Sequence, residues 1–291
     1  MIKKINLGLK SGVFLALFMI FSSLNVTCQE IIKKEECAEY KLPNIDLNHW
    51  KVTLPIGKPI NVSPPEILKY ATNEILKPFF YNDSINGALV FYAYPNSSTA
   101  NSSYSRTELR EQMIAGSDRT NWTFAQGGSM KGTLSVGAVS KDTKGKNHRT
   151  IIMQIHGRLT NEQRDLIGAK DNNAPPMLKI YWTNGKVRVK TKVLKDLNST
   201  DKEMLFPKAW GDDQGYTFSE YVGFEKFTLE IKVSEGYMEV ILNNKDSVVF
   251  NNIHMQKWGI FENYFKAGNY LTTLDKEAYA EVKYYELEVA H

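Results

Sequence analysis

An all-β fold, an antiparallel β-sandwich closed as a jelly roll, is what the sequence predicts, and three observations carry that prediction. Short runs alternate apolar and polar residues with the period of a strand, each run is bounded by Gly, Pro, Asn or Asp, and helical periodicity is scarce. At 291 residues the chain is long enough for one large core, and sandwiches of this size form single domains.

The chain opens with MIKKINLGLKSGVFLALFMIFSSLNVTC. Lys3, Lys4 and Lys10 flank an apolar run from Val13 to Phe21 that is too short to span a bilayer, the pattern of a secretory signal over residues 1–27. No later segment reads as a membrane span. Removing the signal takes away three lysines and no acids, which leaves 33 basic groups against 32 acidic ones. A mature charge near neutral, combined with export, argues against nucleic acid as a partner. Any anionic ligand must then be met by local clustering of Lys and Arg.

Residues 28–43 are charged and free of repeats, and read as a tether leading to a catalytic-sized domain over 44–291. Cys28 and Cys37 are the only cysteines. Export permits a disulfide between them. Alternatively, Cys28 is the lipid-bearing first residue of a bacterial lipoprotein, behind the imperfect lipobox Leu24-Asn25-Val26-Thr27. Both readings stay open; the protein is expected to be secreted or an outer-surface lipoprotein of a bacterium, and, separately, to be a monomer. Two cysteines are too few for a cysteine-built metal site.

Within the domain, HWKVTLP turns Trp50, Val52 and Leu54 inward and Lys51 and Thr53 outward, and Pro55 stops it. The stretch from Pro65 to Leu76 predicts a short surface helix with proline in its first turn. GALVFYAYP, SYSRTELREQM, GGSMKGTLSVGAV and RTIIMQIHG follow as strands. PMLKIYWTNGKVRVKTKV then places Asn184-Gly185 between two alternating runs, the strongest short hairpin signal. Leu194 to Tyr221 is long and turn-rich and predicts a lid or a groove wall. EKFTLEIKVSEGYMEVILNN, DSVVFNNI, NYFKAGNYL and AEVKYYELEVAH complete the set, with turns at Ser234-Glu235-Gly236 and Asn243-Asn244-Lys245.

Three of these strands carry unusual polar faces. In SYSRTELREQM, Arg106, Glu108, Arg110 and Gln112 share one side, and Thr107, Leu109, Glu111 and Met113 share the other. Taken alone, that face is equally the mark of a solvated strand with weak ion pairs. In RTIIMQIHG, Ile151, Met153 and Ile155 point one way while Gln154 and His156 point the other. In NYFKAGNYL, Tyr264, Lys266 and Tyr270 share parity with Gly268, which puts no side chain between them. If the three strands are neighbours, they make a positively biased, aromatic, hydrogen-bonding groove. Lys186, Arg188, Lys190 and Lys192 add a further basic parity, which also fits a solvated face.

This set suits one chemistry better than others. Glu108 between two arginines is expected to stay ionised, which makes it a poor general acid for glycoside hydrolysis, where a raised carboxyl and a second carboxylate are needed. Cleavage of a polyuronate by β-elimination asks for something else. The proton at C5 is removed next to a carboxylate, the 4-linked oxygen leaves, and negative charge grows on that carboxylate. An arginine and an amide can stabilise it. A base with pKa near ambient pH, either His or a Tyr lowered by nearby cations, can take the proton, and Tyr can protonate the leaving oxygen. No metal, nucleotide or redox cofactor is required, and no Gly-rich phosphate loop, HExxH or EF-hand is present.

At these residues the sequence resembles polysaccharide lyase family 7, the alginate lyases. The resemblance runs from Trp50 to Val289 and rests on three blocks in order: Arg106-Thr107-Glu108-Leu109-Arg110, Gln154-Ile155-His156, and Tyr264-Phe265-Lys266-Ala267-Gly268-Asn269-Tyr270. It implies a β-jelly roll whose concave face binds the anionic polysaccharide alginate. By resemblance, Arg106 and Gln154 neutralise the carboxylate at the cleavage point, His156 is the base for guluronate, and Tyr270 is the acid and also the base where mannuronate is cleaved. Glu108, Arg110 and Lys266 bind and orient sugars, and Tyr264 and Arg188 join them as candidate contacts. The Gln-Ile-His form implies cleavage at guluronate, although Ile155 points away from the groove and acts only indirectly. One departure stands out: Leu271-Thr272 follow Tyr270 where the family commonly has Asn-Gln, which puts contacts beyond the tyrosine in question. The alternatives are a lyase for another polyuronate such as a glucuronan, and a non-catalytic carbohydrate-binding sandwich.

Overall fold

The computed structural model describes residues 41–96 and 102–291; the expected signal, the tether as far as residue 40, and both cysteines lie outside the described residues. In chain order the strands are β1 (Asn44–Ile45), β2 (Trp50–Leu54), β3 (Ile60–Val62), β4 (Phe80–Asp83), β5 (Ala88–Ala93) and β6 (Arg106–Glu111). They continue as β7 (Trp122–Thr123), β8 (Gly128–Val139), β9 (Thr150–Arg158), β10 (Asn173–Thr183), β11 (Lys186–Leu194) and β12 (Trp210–Asp212). Last come β13 (Tyr216–Thr217), β14 (Phe227–Ser234), β15 (Tyr237–Leu242), β16 (Asp246–Phe250), β17 (Glu262–Leu271) and β18 (Ala280–Ala290). Among the described residues three short α-helices interrupt them: α1 (Asn161–Ile167), α2 (Asp201–Met204) and α3 (Ile253–Lys257).

The strands form two sheets, in agreement with the sandwich predicted from alternation. One runs β16-β15-β14-β8-β18-β5-β4, the other β12-β11-β10-β9-β17-β6-β2-β3. Pairing along both paths is antiparallel, and only the short β1 adds in parallel, on β18. Between the sheets, Phe91, Trp122, Phe265 and Tyr284 are fully buried. The Tyr284 hydroxyl donates to the Ile152 carbonyl of the opposite sheet at 2.6 Å, so the deepest phenol is satisfied across the sandwich. Glu111 also faces inward, and its carboxylate accepts from Trp122 Nε1 at 3.1 Å, Phe265 N at 2.8 Å and His291 Nε2 at 2.6 Å. A buried carboxylate with three donors is tolerated where an unpaired one is not.

Two predicted elements differ. Pro65 to Leu76 contains only a 3₁₀ turn, Glu66–Lys69. Its buried residues Ile67 and Leu76 would fall on opposite sides of a helix, so no single amphipathic face exists to hold one against the core. The segment from Leu194 to Tyr221 is not a free lid: it folds into α2, a 3₁₀ turn at Pro207–Ala209, β12 and β13, and both strands pair with β11. Met204, Leu205 and Trp210 are buried there, and the indole Nε1 donates to the Met204 carbonyl at 2.8 Å, so the segment extends and covers the sheet edge.

Two irregularities set the register at the centre of the second sheet. Between β9 and β10 the pairing steps from Met153 opposite Ile180 to Ile151 opposite Tyr181, so Ile152 is an extra residue. The core therefore takes Ile152, Met153 and Ile155, and Ile151 is turned to the other face, against the parity predicted from sequence. Between β17 and β9 the pairing steps from Ala267 opposite Met153 to Tyr270 opposite Ile151. Gly268 sits in this irregularity with φ 139°, and a Cβ there would lie 2.7 Å from the Thr107 carbonyl and 2.9 Å from Glu108 Cα and from Phe91 Cδ1. Gly268→Ala is expected to destabilise the protein by ~3 kcal/mol through backbone strain and overpacking. A chemical denaturation midpoint within error of the wild type would contradict that expectation.

Candidate active site

The three polar blocks lie on neighbouring strands, in the order β9-β17-β6. Antiparallel register then puts their residues in rows across the sheet. One row reads Lys51, Arg110, Lys266, Gln154, Lys179 and Lys190 across β2, β6, β17, β9, β10 and β11. Another reads Arg106, Tyr270, Ile151, Tyr181 and Arg188. Glu108 lies between the two rows, opposite Gly268, and His156 lies opposite Tyr264.

Glu108 is 1% exposed, which excludes the solvated-strand reading of its face. Its carboxylate accepts from Gln154 Nε2, forms an ion pair with Lys266 Nζ, and stands 3.7 Å from Arg106 NH1. One buried carboxylate therefore joins three strands. Lys266 is 6% exposed, and burial pushes its ammonium down to about 8 against the opposing pull of Glu108. Arg106 keeps its Nε buried without a hydrogen-bond partner, and its guanidinium lies 4.7 Å from the centre of the Tyr270 ring. It is a cation with donors in reserve.

Arg110 is different. Its guanidinium donates to the Glu111 carbonyl, to Asn121 Oδ1 at 2.7 Å and to the Asp118 carbonyl at 3.2 Å, and it covers Tyr264 at 4.0 Å. On the far face of this arrangement Tyr264 stacks on His156, with centroids 5.2 Å apart and planes 12° apart. The Arg110, Tyr264 and His156 contacts fix the imidazole plane. Arg188 faces the same side but at the sheet edge, where it donates to Thr217 Oγ1 at 2.7 Å and to the Gln214 carbonyl, so the structure does not bring it together with the other predicted residues.

His156 Nδ1 donates to the Gly157 carbonyl at 3.0 Å, which leaves Nε2 as the acceptor. Burial, with Lys266, Arg106 and Lys179 adding to it, pushes the imidazole down to about 3. The ring is neutral throughout the ordinary pH range, well below the near-ambient value expected from sequence. Tyr270 hydrogen-bonds with Ser102 Oγ and meets Tyr104 edge-on at 6.3 Å. Burial raises its pKa despite Ser102 and Arg106, so the phenol keeps its proton; the lowering by cations expected from sequence is outweighed. Beyond Tyr270, Thr272 accepts from Arg149 Nε at 3.0 Å, and Arg149 lies 5.3 Å from the Tyr181 ring centre. Leu271 is buried, so beyond Tyr270 the exposed contacts of this segment are those of Thr272 with Arg149.

A groove of about 880 Å³ is lined by Lys51, Thr53, Arg106, Arg110, Tyr264 and Lys266, among others. Its lining holds seven Lys or Arg side chains against two Asp, so the ligand it fits is a polyanion. Sequence reasoning passed over Lys51 as a groove residue and Lys179 as a member of the polar row that crosses the sheet. The signal was present in their outward parity, Lys179 standing between the buried Leu178 and Ile180.

A protein-family model described as alginate lyase matches residues 45–291. The chain belongs to the alginate lyase family. Among solved structures, the alginate lyase A1-II', described as a member of polysaccharide lyase family 7, is 28% identical, with a TM-score of 0.68 over 85% of this chain and 96% of that one. A doubly substituted form of A1-II' in complex with a substrate written GGMG is 27% identical, with a TM-score of 0.67 over 85% of this chain and 94% of that one. The alginate lyase PA1167 from Pseudomonas aeruginosa matches in fold at 24% identity, with a TM-score of 0.64 over 85% of this chain and 100% of that one. No curated protein sequence matches. The β-sandwich inferred from alternation is thus the fold of this family of polysaccharide lyases.

In a family member with this groove, the state of Lys266 is expected to set an alkaline limit. The ammonium is charged below about 8 and neutral above it, so the attraction for a carboxylate is lost as pH rises through 8. The kcat/KM for alginate is expected to fall on the alkaline side with an apparent pKa near 8, and Lys266→Arg is expected to move that limb to higher pH because a guanidinium does not titrate there. An alkaline limb that stays in place in Lys266→Arg would assign it to another group.

Proposed function

We propose that the chain is an exported alginate lyase that cleaves 4-linked uronate bonds by β-elimination in this groove. The observation that carries the reading is Arg106: a cation with an unpartnered buried donor, beside the protonated Tyr270 phenol and on the same face as the neutral His156 imidazole, with the Gln154 amide two strands away joined to it through Glu108. Arg106 and Gln154 bind the carboxylate of the uronate whose C5 proton is removed and stabilise the charge that builds on it. His156 Nε2 accepts that proton. The C5–H electron pair becomes the C4=C5 double bond as the C4–O4 bond breaks, and O4 leaves with its pair and takes the proton of Tyr270. Transfer of a proton from His156 back to Tyr270 restores both groups. Glu108 touches no reacting atom in this scheme: it keeps Lys266, Gln154 and Arg106 in register.

The finer substrate choice rests on the Gln154-Ile155-His156 form, which favours guluronate. Ile155 is fully buried, so any such preference acts through the position of its neighbours. The N-terminal signal supports export, with Cys28 as either a disulfide partner or a lipid anchor.

The direct test is ultraviolet absorbance of the conjugated unsaturated uronate, followed with purified protein on polyguluronate, polymannuronate and mixed alginate. A rise is expected on alginate and fastest on polyguluronate; no rise on any of them with folded protein would overturn the reading. His156→Ala and Tyr270→Phe are each expected to lower kcat by ~100-fold or more while leaving the melting temperature near that of the wild type. Near wild-type turnover in either variant would remove that residue from its role.

A further inference from the structure

Lys179 is a half-buried lysine on the groove face of β10, in register with Gln154 on one side and Lys190 on the other. β9 separates it from Lys266, so the two ammonium-bearing positions are two strand spacings apart, about 10 Å. Four other cations of this face have protein partners, Lys51 with Asp118, Arg110 with Asn121, Lys266 with Glu108 and Lys192 with Asp212, whereas Lys190, beside Lys179 in the row, has none among the described residues. Lys179 makes no hydrogen bond or ion pair with any described residue, and the carboxylate nearest in influence, Asp212, is engaged by Lys192. Burial lowers its pKa, and Lys192, Lys190 and Arg149 lower it further. A partly desolvated cation without a counter-charge is an unfilled anion site.

Its neighbour is the proposed base. The charged and titratable groups around His156 are Tyr264 and Lys266 from β17, Arg106 and the Glu108 beside it from β6, and Lys179 from β10; Arg158, two residues on in β9, is paired with Glu262. Lys266 and Arg106 each have Glu108 at hand, whereas the carboxylate nearest in influence to Lys179, Asp212, is paired with Lys192.

We propose that Lys179 binds the carboxylate of a uronate next to the one being cleaved, and that this pairing couples occupancy of the neighbouring position to proton abstraction by His156. The proposal rests on His156 being the base. In the empty groove Lys179 opposes any gain of positive charge on the imidazole, and a bound carboxylate cancels that opposition. The enzyme is then most competent on a chain long enough, and anionic enough, to reach Lys179.

The experiment compares Lys179→Met and Lys179→Arg with the wild type, using a guluronate tetramer and polyguluronate for kinetics and nuclear magnetic resonance titration of the His156 imidazole in the free proteins. Lys179→Met is expected to raise the His156 pKa, to shift the acid limb of kcat/KM to higher pH, and to raise KM about tenfold. Lys179→Arg is expected to restore KM. Unchanged KM and unchanged titration in Lys179→Met would overturn the proposal, as would equal losses in the Met and Arg variants, which mark a structural role. If His156→Ala keeps turnover, the assignment of the base falls whatever Lys179 does; if His156→Ala is inactive while Lys179→Met behaves as wild type, only the present inference falls.

Discussion

A single buried carboxylate organises the groove. Glu108 is held on the face of β6 with almost no exposure, and a charge in that position persists only with partners. It takes them from two other strands and from its own: Lys266 from β17, Gln154 from β9 and Arg106 from β6. Those contacts require β9, β17 and β6 to be adjacent and in one register. They also require the β17 residue opposite Glu108 to approach closely, which only Gly268 does without a clash. The same carboxylate leaves Arg106 with donors turned to the groove while Lys266 is neutralised in part. Sheet order, glycine placement and ligand chemistry thus meet at one ion-paired group.

The empty groove is electrostatically poised. Burial and excess positive charge together keep His156 neutral and lower Lys266 and Lys179, and burial, against the pull of Arg106, leaves the Tyr270 phenol protonated. This is a suitable starting state for proton abstraction followed by protonation of a leaving oxygen, since the acceptor is vacant and the donor is loaded. It is incomplete without substrate, because an imidazole pushed this far down is a weak base. An anionic chain supplies the missing negative charge, so the polymer helps to set the basicity of the site that cuts it.

The large-scale fold was legible because alternation and turn residues are local signals: Asn184-Gly185 closes the β10–β11 hairpin, and Asn184 has the positive φ of 48° that such a turn requires. The three polar blocks were legible as faces, and adjacency of their strands then brought Arg106, Gln154, His156 and Tyr270 to one side. Simple parity failed at Ile151, where an extra residue in β9 turns the side chain over, because a bulge depends on both partner strands and leaves no period in its own. The titration states were hidden as well. Sequence shows which cations are near Tyr270 and His156, but the desolvation that outweighs or reinforces them depends on how deeply each ring is packed. Lys179 was passed over for the same reason: an outward lysine in an alternating strand is ordinarily solvated, and only the sheet order shows that it lies in register with Gln154 on the polar face.

The central claim is that Glu108 acts as the anchor of the catalytic groups and not as an acid, a base or a surface ion pair. Steady-state kinetics of Glu108→Gln on alginate, read by unsaturated uronate formation alongside a melting curve, test it most directly. Loss of the buried charge removes the counter-ion of Lys266 and of Arg106, although the amide oxygen still accepts from Gln154, so kcat/KM is predicted to fall ~100-fold at neutral pH in a protein that still folds. Activity within a few-fold of the wild type would show that the groove is organised without Glu108 and would contradict the account.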